Sequence, residues 1–176
     1  GLIEALRADR IDDKFLELVH RLDRDTSGVV LIAKKRKSLT LMQDEFRIKS
    51  NVTKTYWCLV AGQWPHSKKA VDAPLLRQPE SQSGERRVTV DDRGKPSVTK
   101  FRVLKQFKEC TWVEAQPVTG RTHQIRVHCQ FAGHPILGDT KYRSAQADQI
   151  TKTIGLKRLF LHAAQLAIPH PIERKE

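Results

Sequence analysis

Short runs of apolar and β-branched residues, separated by turn-forming residues, predict β-strands along most of the chain. The runs "FLELVHRL" (15–22) and "VVLIA" (29–33) each predict a strand, and "DRDTSG" between them supplies turn residues. In "TYWCLVAG" the side chains alternate, which places Tyr56 and Cys58 on one face of a strand and Trp57 on the other. "TWVEAQPV" and "LFLHAAQLAIPH" predict two further strands.

Helical spacing is visible in three segments of the chain. The stretch "LIEALR" predicts a short amino-terminal helix, and a second helix is predicted from about Ser38, which is a favourable N-cap. A third helix is predicted over residues 122–132, where Ile125 and Cys129 fall on one apolar face. Gly133 is a typical residue for the end of that helix.

The remaining patterns predict a hairpin and a loop, and together the elements indicate the fold class. "RRVTVDDRGKPSVTKFRVL" has turn residues between two alternating runs, which is the pattern of a β-hairpin. Residues 78–87 are polar and basic, which predicts a surface loop. Several strands joined by short turns, with two or three helices, favour an α+β fold. We expect a mixed, mostly antiparallel central sheet flanked by helices, and one domain over residues 1–176.

The charge of the chain points to a polyanionic partner. Its 176 residues include 32 Lys and Arg against 20 Asp and Glu, a net charge of +12 at pH 7. A field of this sign favours nucleic acid, although a generically basic surface would give the same composition. No run of about 18 apolar residues is present, so we expect no contact with a membrane.

Other features narrow the class of protein further. The chain opens with Gly1 and no signal-peptide pattern, so we expect a cytoplasmic protein. We also expect a monomer. Cys58, Cys110 and Cys129 lie far apart, which predicts reduced thiols rather than a disulfide or a zinc site. The sequence has no P-loop and no GxGxxG motif, so no nucleotide cofactor is expected.

Asp23 is the residue whose position most suggests chemistry. It follows the predicted strand at 15–22 and opens a polar loop, a common place for functional side chains on a rigid scaffold. Arg21 and Arg24 lie close to it in sequence, and a nearby arginine would favour an ionised carboxylate that acts as a nucleophile or base. The alternative is a loop aspartate that accepts backbone N–H bonds. The pattern alone leaves both interpretations open.

A second group of candidates lies in "GRTHQIRVHCQFAGHPILGDTKY". Arg121, near the helix start, is a candidate substrate contact. Arg126 lies at the margin of the apolar face, where it would meet a carboxylate or be solvated. His123 and His128 are five residues apart and so lie on different helix faces, unlike the pair of a helical zinc site. Tyr56 would either pack in the sheet or stack on a flipped base.

These segments together resemble the RluA-type pseudouridine synthases. The match runs in order through "HRLDRDTSG", "VVLIAKK", "KTYWCLVAG", "GKPSVTKFRVL", "GRTHQIRVHCQFAGHPILGDTKY" and "LFLHA". The combination of "HRLDxxTSG" with "GRTHQIRxH" is highly specific. The resemblance implies an isomerase that converts uridines of large-subunit (23S) ribosomal RNA to pseudouridine without a cofactor. It also implies a mixed, mainly antiparallel sheet flanked by helices, with the active site in a central cleft.

The resemblance also assigns roles to particular residues. Asp23 falls on the catalytic aspartate of the "HRLD" motif. Tyr56 falls on the tyrosine that stacks on the target uracil, and Arg126 on the arginine that pairs with the aspartate. Leu161 would form part of the pocket floor, and Arg21 would occupy the gap left by the flipped nucleotide.

Two features of many family members are not found in residues 1–176. One is a motif with lysine and proline upstream of "HRLD", and the other is an amino-terminal RNA-binding domain of the S4 type. We therefore expect the chain to be the catalytic domain, with sequence missing at both ends.

The implied reaction breaks the N1–C1′ bond, rotates the uracil and rejoins it through C5. The base must leave its stack, because a carboxylate cannot reach the glycosidic centre inside a helix. The carboxylate could then attack C1′, attack C6 or remove a ribose proton. Two other classes compete: an RNA-binding module, which gives Asp23 no role, and a glycosidase. A glycosidase needs a second carboxylate, for which Asp25 and Asp139 are the candidates.

Overall fold

A computed structural model describes residues 1–48, 52–79 and 87–170. Within these ranges the chain forms four α-helices and ten β-strands. The helices are α1 (Leu2–Asp9), α2 (Arg36–Ile48), α3 (Gln124–Phe131) and α4 (Ala145–Thr153). The strands are β1 (Glu17–Leu18), β2 (Ser27–Gly28), β3 (Ile32–Ala33), β4 (Thr53–Ala61), β5 (Ala70–Asp72), β6 (Leu75–Arg77), β7 (Val88–Val90), β8 (Val98–Gln106), β9 (Cys110–Pro117) and β10 (Leu161–Ala167). No helix in these ranges is both long and apolar enough to cross a bilayer.

The central element is a six-stranded sheet with the strand order β2-β10-β4-β9-β8-β5. The pairs β4–β9, β9–β8 and β8–β5 are antiparallel. Two small antiparallel sheets, β1–β3 and β6–β7, accompany it in the part of the chain that the structure describes. This arrangement confirms the predicted α+β fold with a mostly antiparallel sheet.

The contacts divide the chain into two compact units. Unit 1 contains Gly1–Leu22, Gly28–Lys54 and the described residues from Gln165 onward, and unit 2 contains Asp23–Ser27 and Thr55–Ala164. In unit 1 the His20 ring stacks on Phe46 at 4.9 Å between centroids, and its Nε2 accepts the Leu31 N–H at 3.0 Å. His20 therefore has a structural role.

The core of unit 2 forms between the sheet and α3. Alternation on β4 and β9 buries Cys58 and Val60 on one strand and Val113 and Ala115 on the other. Helix α3 contributes Ile125 and Cys129 to the same apolar cluster, as their spacing predicts. The sheet and α3 thus pack as two layers around one core. The loops that carry the candidate site residues extend from these two layers.

The predicted hairpin between residues 86 and 104 is wrong. Its turn forms, since the Gly94 N–H donates to the Asp91 carbonyl at 2.8 Å. Strand β7, however, pairs with β6, and β8 pairs with β5 and β9. The reason lies at Leu75, whose backbone exchanges two hydrogen bonds with Lys95 and packs closely against Gly94. These contacts direct the two arms of the turn into different sheets.

Other differences from the predicted elements are smaller. The runs at 15–22 and 29–33 form only the two-residue strands β1 and β3, although Leu16 and Val19 are buried. Helix α4 was not predicted, and it is capped by Ser144, whose side chain accepts the Ala147 N–H at 3.1 Å. Most of the predicted loop at 78–87 lies outside the described residues.

Candidate active site

Asp23 lies in the loop that enters β2. The Thr26 N–H donates to the Asp23 carbonyl at 2.9 Å, which closes a tight turn around the exposed Asp25. The next residue, Ser27, is tied to β10 because its hydroxyl lies 2.9 Å from His162 Nδ1. The half-buried Asp23 side chain is therefore carried by a turn anchored at the edge of the sheet. His162 itself is exposed.

The charge of Asp23 acts on three neighbouring side chains. Burial raises the pKa of the Tyr56 hydroxyl, and the Asp23 charge raises it further. Burial and Arg126 lower the pKa of His123, whereas Asp23 acts in the opposite direction. Asp23 is also one of the charges that raise the pKa of Arg126. One electrostatic neighbourhood thus contains four functional groups: the carboxylate of Asp23, the phenol of Tyr56, the imidazole of His123 and the guanidinium of Arg126.

Tyr56 lies at the apolar side of this neighbourhood, beside the core of unit 2. Tyr56 lies on β4 opposite Ala115 of β9, and it is half-buried. Its ring packs against the core cluster that contains Leu161, the first residue of β10. Leu161 is only 4% exposed and is part of that core. The structure therefore brings Asp23, Tyr56, Arg126 and Leu161 to one region of unit 2.

The predicted ion pair between Arg126 and Asp23 is not formed. Arg126 instead donates from Nε to Asp139 Oδ2 at 2.8 Å and from Nη2 to Asp139 Oδ1 at 2.7 Å. Within the described residues, no Asp23 oxygen lies within 4.0 Å of the Arg126 guanidinium. Both partners of the observed pair are buried, at 3% and 1% side-chain exposure, where a two-point pair with fixed geometry is favoured.

Asp139 is held by four donors. Besides the two from Arg126, the Lys141 and Tyr142 N–H groups donate to its Oδ1 at 2.8 and 3.0 Å. Burial would raise the pKa of Asp139, but the hydrogen bonds from Arg126 and the backbone outweigh it and lower the pKa. Burial likewise opposes the charge of Arg126, whose pKa is raised by its bonds to Asp139. Asp139 is thus ionised, and both of its carboxylate oxygens accept hydrogen bonds.

Tyr142 and His123 extend this network, and the sequence patterns did not single them out as a pair. The Arg126 guanidinium carbon lies 5.1 Å from the centre of the Tyr142 ring. The Tyr142 hydroxyl accepts the Val88 N–H at 3.2 Å and lies 2.9 Å from His123 Nδ1. The lowered pKa of His123 keeps the imidazole neutral near pH 7, so Nδ1 is able to accept a hydrogen bond from the Tyr142 hydroxyl.

His123 has an unusual backbone conformation. With φ 54° and ψ 18°, it has positive φ, which no other non-glycine residue in the described ranges shows. Such conformations are uncommon outside glycine, although histidine adopts them more often than most residues, and they cluster at functional sites. The residue lies immediately before α3, so it turns the chain into the helix that carries Arg126. Its spacing from His128 gave no sign of this.

The remaining predicted contacts are Arg21 and Arg121, and the remaining histidine of the motif is His128. Arg21 belongs to unit 1 and is exposed. The Arg121 side chain donates from Nε to the Pro96 carbonyl at 3.4 Å, and its N–H donates to Gln124 at 3.0 Å. His128 is fully buried between Thr99 and the Ala73 carbonyl, at 2.8 and 3.0 Å. No group of three His, Cys, Asp or Glu side chains in the described ranges could hold a metal ion.

The antiparallel sheet, with its aspartate-bearing loop beside an aromatic residue and a buried arginine, fits an RNA-modifying isomerase of the pseudouridine synthase class. The family model described as RNA pseudouridylate synthase matches residues 5–131, which include Asp23, Tyr56 and Arg126. This chain belongs to the RNA pseudouridylate synthase family.

Similar proteins are named as pseudouridine synthases. The chain is 55% identical to ribosomal large subunit pseudouridine synthase C of Yersinia pestis over 97% of its own length and 53% of that protein. It is 52% identical to the protein of that name from Vibrio cholerae, over 100% of this chain and 54% of the relative. The chain thus spans about half the length of these curated relatives.

Solved structures of family members have the same fold. Human RNA pseudouridylate synthase domain containing 1 superposes with a TM-score of 0.78 at 28% identity, over 94% of this chain and 69% of that one. Human RNA pseudouridylate synthase domain containing 4 gives a TM-score of 0.71 at 29% identity, with 94% and 70% covered.

Proposed function

We propose that this protein converts uridines of large-subunit ribosomal RNA to pseudouridine. Its family membership supports the reaction, and the names of its relatives support the substrate. A net charge of +12 is suited to a polyanionic substrate. The observation that carries the proposal is the position of Asp23, whose charge reaches Tyr56, His123 and Arg126 from a turn anchored to the sheet.

In this proposal Asp23 is the catalytic residue. The target uridine leaves its stack, and the Asp23 carboxylate attacks C1′, attacks C6 or removes a ribose proton. The N1–C1′ bond breaks, the uracil rotates, and C5 bonds to C1′. The C5 proton is lost and N1 gains one, so the reaction is an isomerisation that needs no external reactant. Tyr56, supported by Leu161, stacks on the detached uracil and retains it, so that rebonding is faster than escape.

Arg126 acts in this proposal through its fixed orientation. Its Nε and Nη2 are engaged by Asp139, whereas Nη1 makes no hydrogen bond within the described residues. We propose that Nη1 contacts Asp23 or the uracil once RNA occupies the site. Arg21 and Arg121 are proposed as further RNA contacts, because both lie in the sequence motifs that carry the family resemblance.

The two competing classes fit the geometry less well. A glycosidase requires a second carboxylate that can act as an acid or base. Asp139 already accepts four hydrogen bonds, and its lowered pKa makes it a poor acid. Asp25 is exposed in the turn. An RNA-binding module would need no carboxylate beside Tyr56 and Arg126. The following experiment distinguishes such a module from an enzyme.

Replacing Asp23 by Asn should abolish pseudouridine formation and leave RNA affinity within a few-fold of the parent. Asn keeps the size of the side chain but cannot act as a nucleophile or base, whereas RNA binding depends on many phosphate contacts. The measurements are pseudouridine formation in a large-subunit ribosomal RNA transcript and the affinity for the same transcript. Asp25→Asn is the matched control, two residues away, and it should keep substantial activity. Turnover near the parental rate in Asp23→Asn would show that the catalytic assignment is wrong.

A further inference from the structure

A basic pocket lies next to the network around Arg126. Its volume is about 250 Å³, and the side chains that line it are those of Arg87, Gln130, Lys141, Tyr142 and Arg143. Among these described lining residues, three are cations and none is acidic. A concave surface with several cations and a hydrogen-bonding amide is suited to an anion, and phosphate is the anion that RNA presents.

The pocket and the candidate active site share Tyr142. One part of this residue lines the pocket, while its hydroxyl lies 2.9 Å from His123 and its ring lies beneath Arg126. The charge of Lys141 contributes to the lowered pKa of His123, so the ammonium acts on the same imidazole as Asp23. An anion in the pocket would therefore lie close to a uridine bound at Asp23.

The backbone fixes Lys141 and leaves its ammonium group available. Its N–H donates to Asp139, and its carbonyl accepts a hydrogen bond from the Arg87 side chain at 3.1 Å. No carboxylate in the described residues lies within 4.0 Å of the Lys141 ammonium. Arg143 pairs with Asp148 at 2.8 Å, but both side chains are largely exposed, and such a pair is readily exchanged for a phosphate.

We propose that this pocket binds a backbone phosphate adjacent to the target uridine and so sets the position of the RNA relative to Asp23. The proposal rests on the proposed function, because it takes RNA as the ligand. Lys141 is its central contact, and Arg87 and Arg143 bind the same phosphate from the sides. All three contribute to position rather than to base recognition, since a phosphate carries no sequence information.

The test uses Lys141→Ala in the protein that carries Asp23→Asn, so that no turnover occurs. Affinity for a large-subunit ribosomal RNA transcript is measured over a range of salt concentrations. Loss of one phosphate contact should weaken binding several-fold and reduce the slope of log affinity against log salt by about 0.7–1. Lys141→Arg should restore both values, because it retains a cation. The backbone bonds of residue 141 do not need its side chain, so the fold should survive the change.

Lys108→Ala is the matched control. Lys108 is exposed in the turn before β9, at the opposite end of that strand from Pro117 and the segment that leads to His123. Its removal should leave the salt slope unchanged. Equal slopes for Lys141→Ala and Lys108→Ala would overturn the proposal. It would also be overturned if Lys141 bound the polyanion polyglutamate while Lys141→Ala left the affinity for RNA unchanged. If the parent protein with Asp23 intact forms no pseudouridine, while Lys141→Ala still reduces the salt slope, the phosphate site is supported and the proposed function is contradicted.

Discussion

At the scale of single residues, the buried pair of Arg126 and Asp139 organises the surroundings of Asp23. Asp139 draws the Arg126 guanidinium onto the Tyr142 ring, and the same loop supplies two backbone donors to the carboxylate. Two charges removed from water are stable only when they are paired and fully hydrogen-bonded. The pair meets this condition, so it fixes the arginine side chain without needing Asp23.

Removing one partner of this pair should be costly. Asp139→Ala leaves the buried Arg126 without a counter-charge, and we expect the free energy of unfolding to fall by about 3–5 kcal/mol. Asp148→Ala removes the partner of the exposed Arg143, at 59% and 40% side-chain exposure, and should cost only about 0–1 kcal/mol. Urea unfolding of both variants provides the comparison. Equal losses in the two would contradict a dominant role for the buried pair.

The motifs of the sequence located Asp23, Tyr56 and Arg126 but not the partner of the arginine. Asp23 and Asp139 are both carboxylates in loops after apolar runs, and spacing along the chain does not distinguish which one a distant helix will meet. That choice is made by the turn at Gly138, which is visible only in three dimensions. The left-handed conformation of His123 was equally hidden, because most positions that adopt it are glycines.

At the scale of elements, the turn before Asp139 is positioned by Gly138. This residue has φ +75°, and a Cβ built there would collide with the backbone carbonyl of Arg158. Its N–H donates to Thr151 of α4 at 3.0 Å, while the adjacent Leu137 donates to Leu59 of β4 at 2.9 Å. The turn is thus tied to both a helix and the sheet, and only glycine fits between them.

Gly138→Ala should therefore destabilise the protein more than another glycine change with the same backbone strain. Gly155 has φ +69° and open space around its Cα, so Gly155→Ala should cost only the left-handed penalty of about 1–2 kcal/mol. Gly138→Ala adds a steric overlap, for which we expect about 1–3 kcal/mol more. Thermal or urea unfolding of the two variants measures the difference. Similar losses would mean that the Arg158 carbonyl moves aside at little cost.

Elements with a strong local pattern were predicted well, and those defined by distant pairing were not. The alternation in β4 and β9 and the apolar face of α3 follow directly from side-chain periodicity. Helix α4 has only Ala147 and Ile150 buried, so its apolar pattern is too sparse to indicate a helix. The arms of the turn at Asp91 alternate correctly, yet each pairs with another strand, because pairing depends on contacts that a local pattern does not contain.

At the scale of the whole molecule, the histidines couple stability to pH. Burial is the main reason why the pKa values of His20, His123 and His128 are lowered. Above about pH 6.5 these rings are neutral in both the folded and the unfolded protein. Below that value the unfolded chain takes up protons that the folded protein does not, so the folded state loses stability as the pH falls. The lowered pKa of Asp139 acts in a different range, because the stability it provides is lost only below about pH 4.

We therefore expect the free energy of unfolding to decrease between pH 7.5 and 5.5, by at most about 1.4 kcal/mol per pH unit for each of these histidines. His128→Gln removes one such group, so the free energy of unfolding should fall less steeply with decreasing pH, whatever the stability of the variant at pH 7.5. His66→Gln changes an exposed histidine and should leave the decrease as it is in the parent. Urea unfolding at closely spaced pH values measures the three slopes. Because the carboxylates titrate lower, a decrease that starts only below pH 4 would show that the buried histidines take up protons in the folded protein as readily as in the unfolded one.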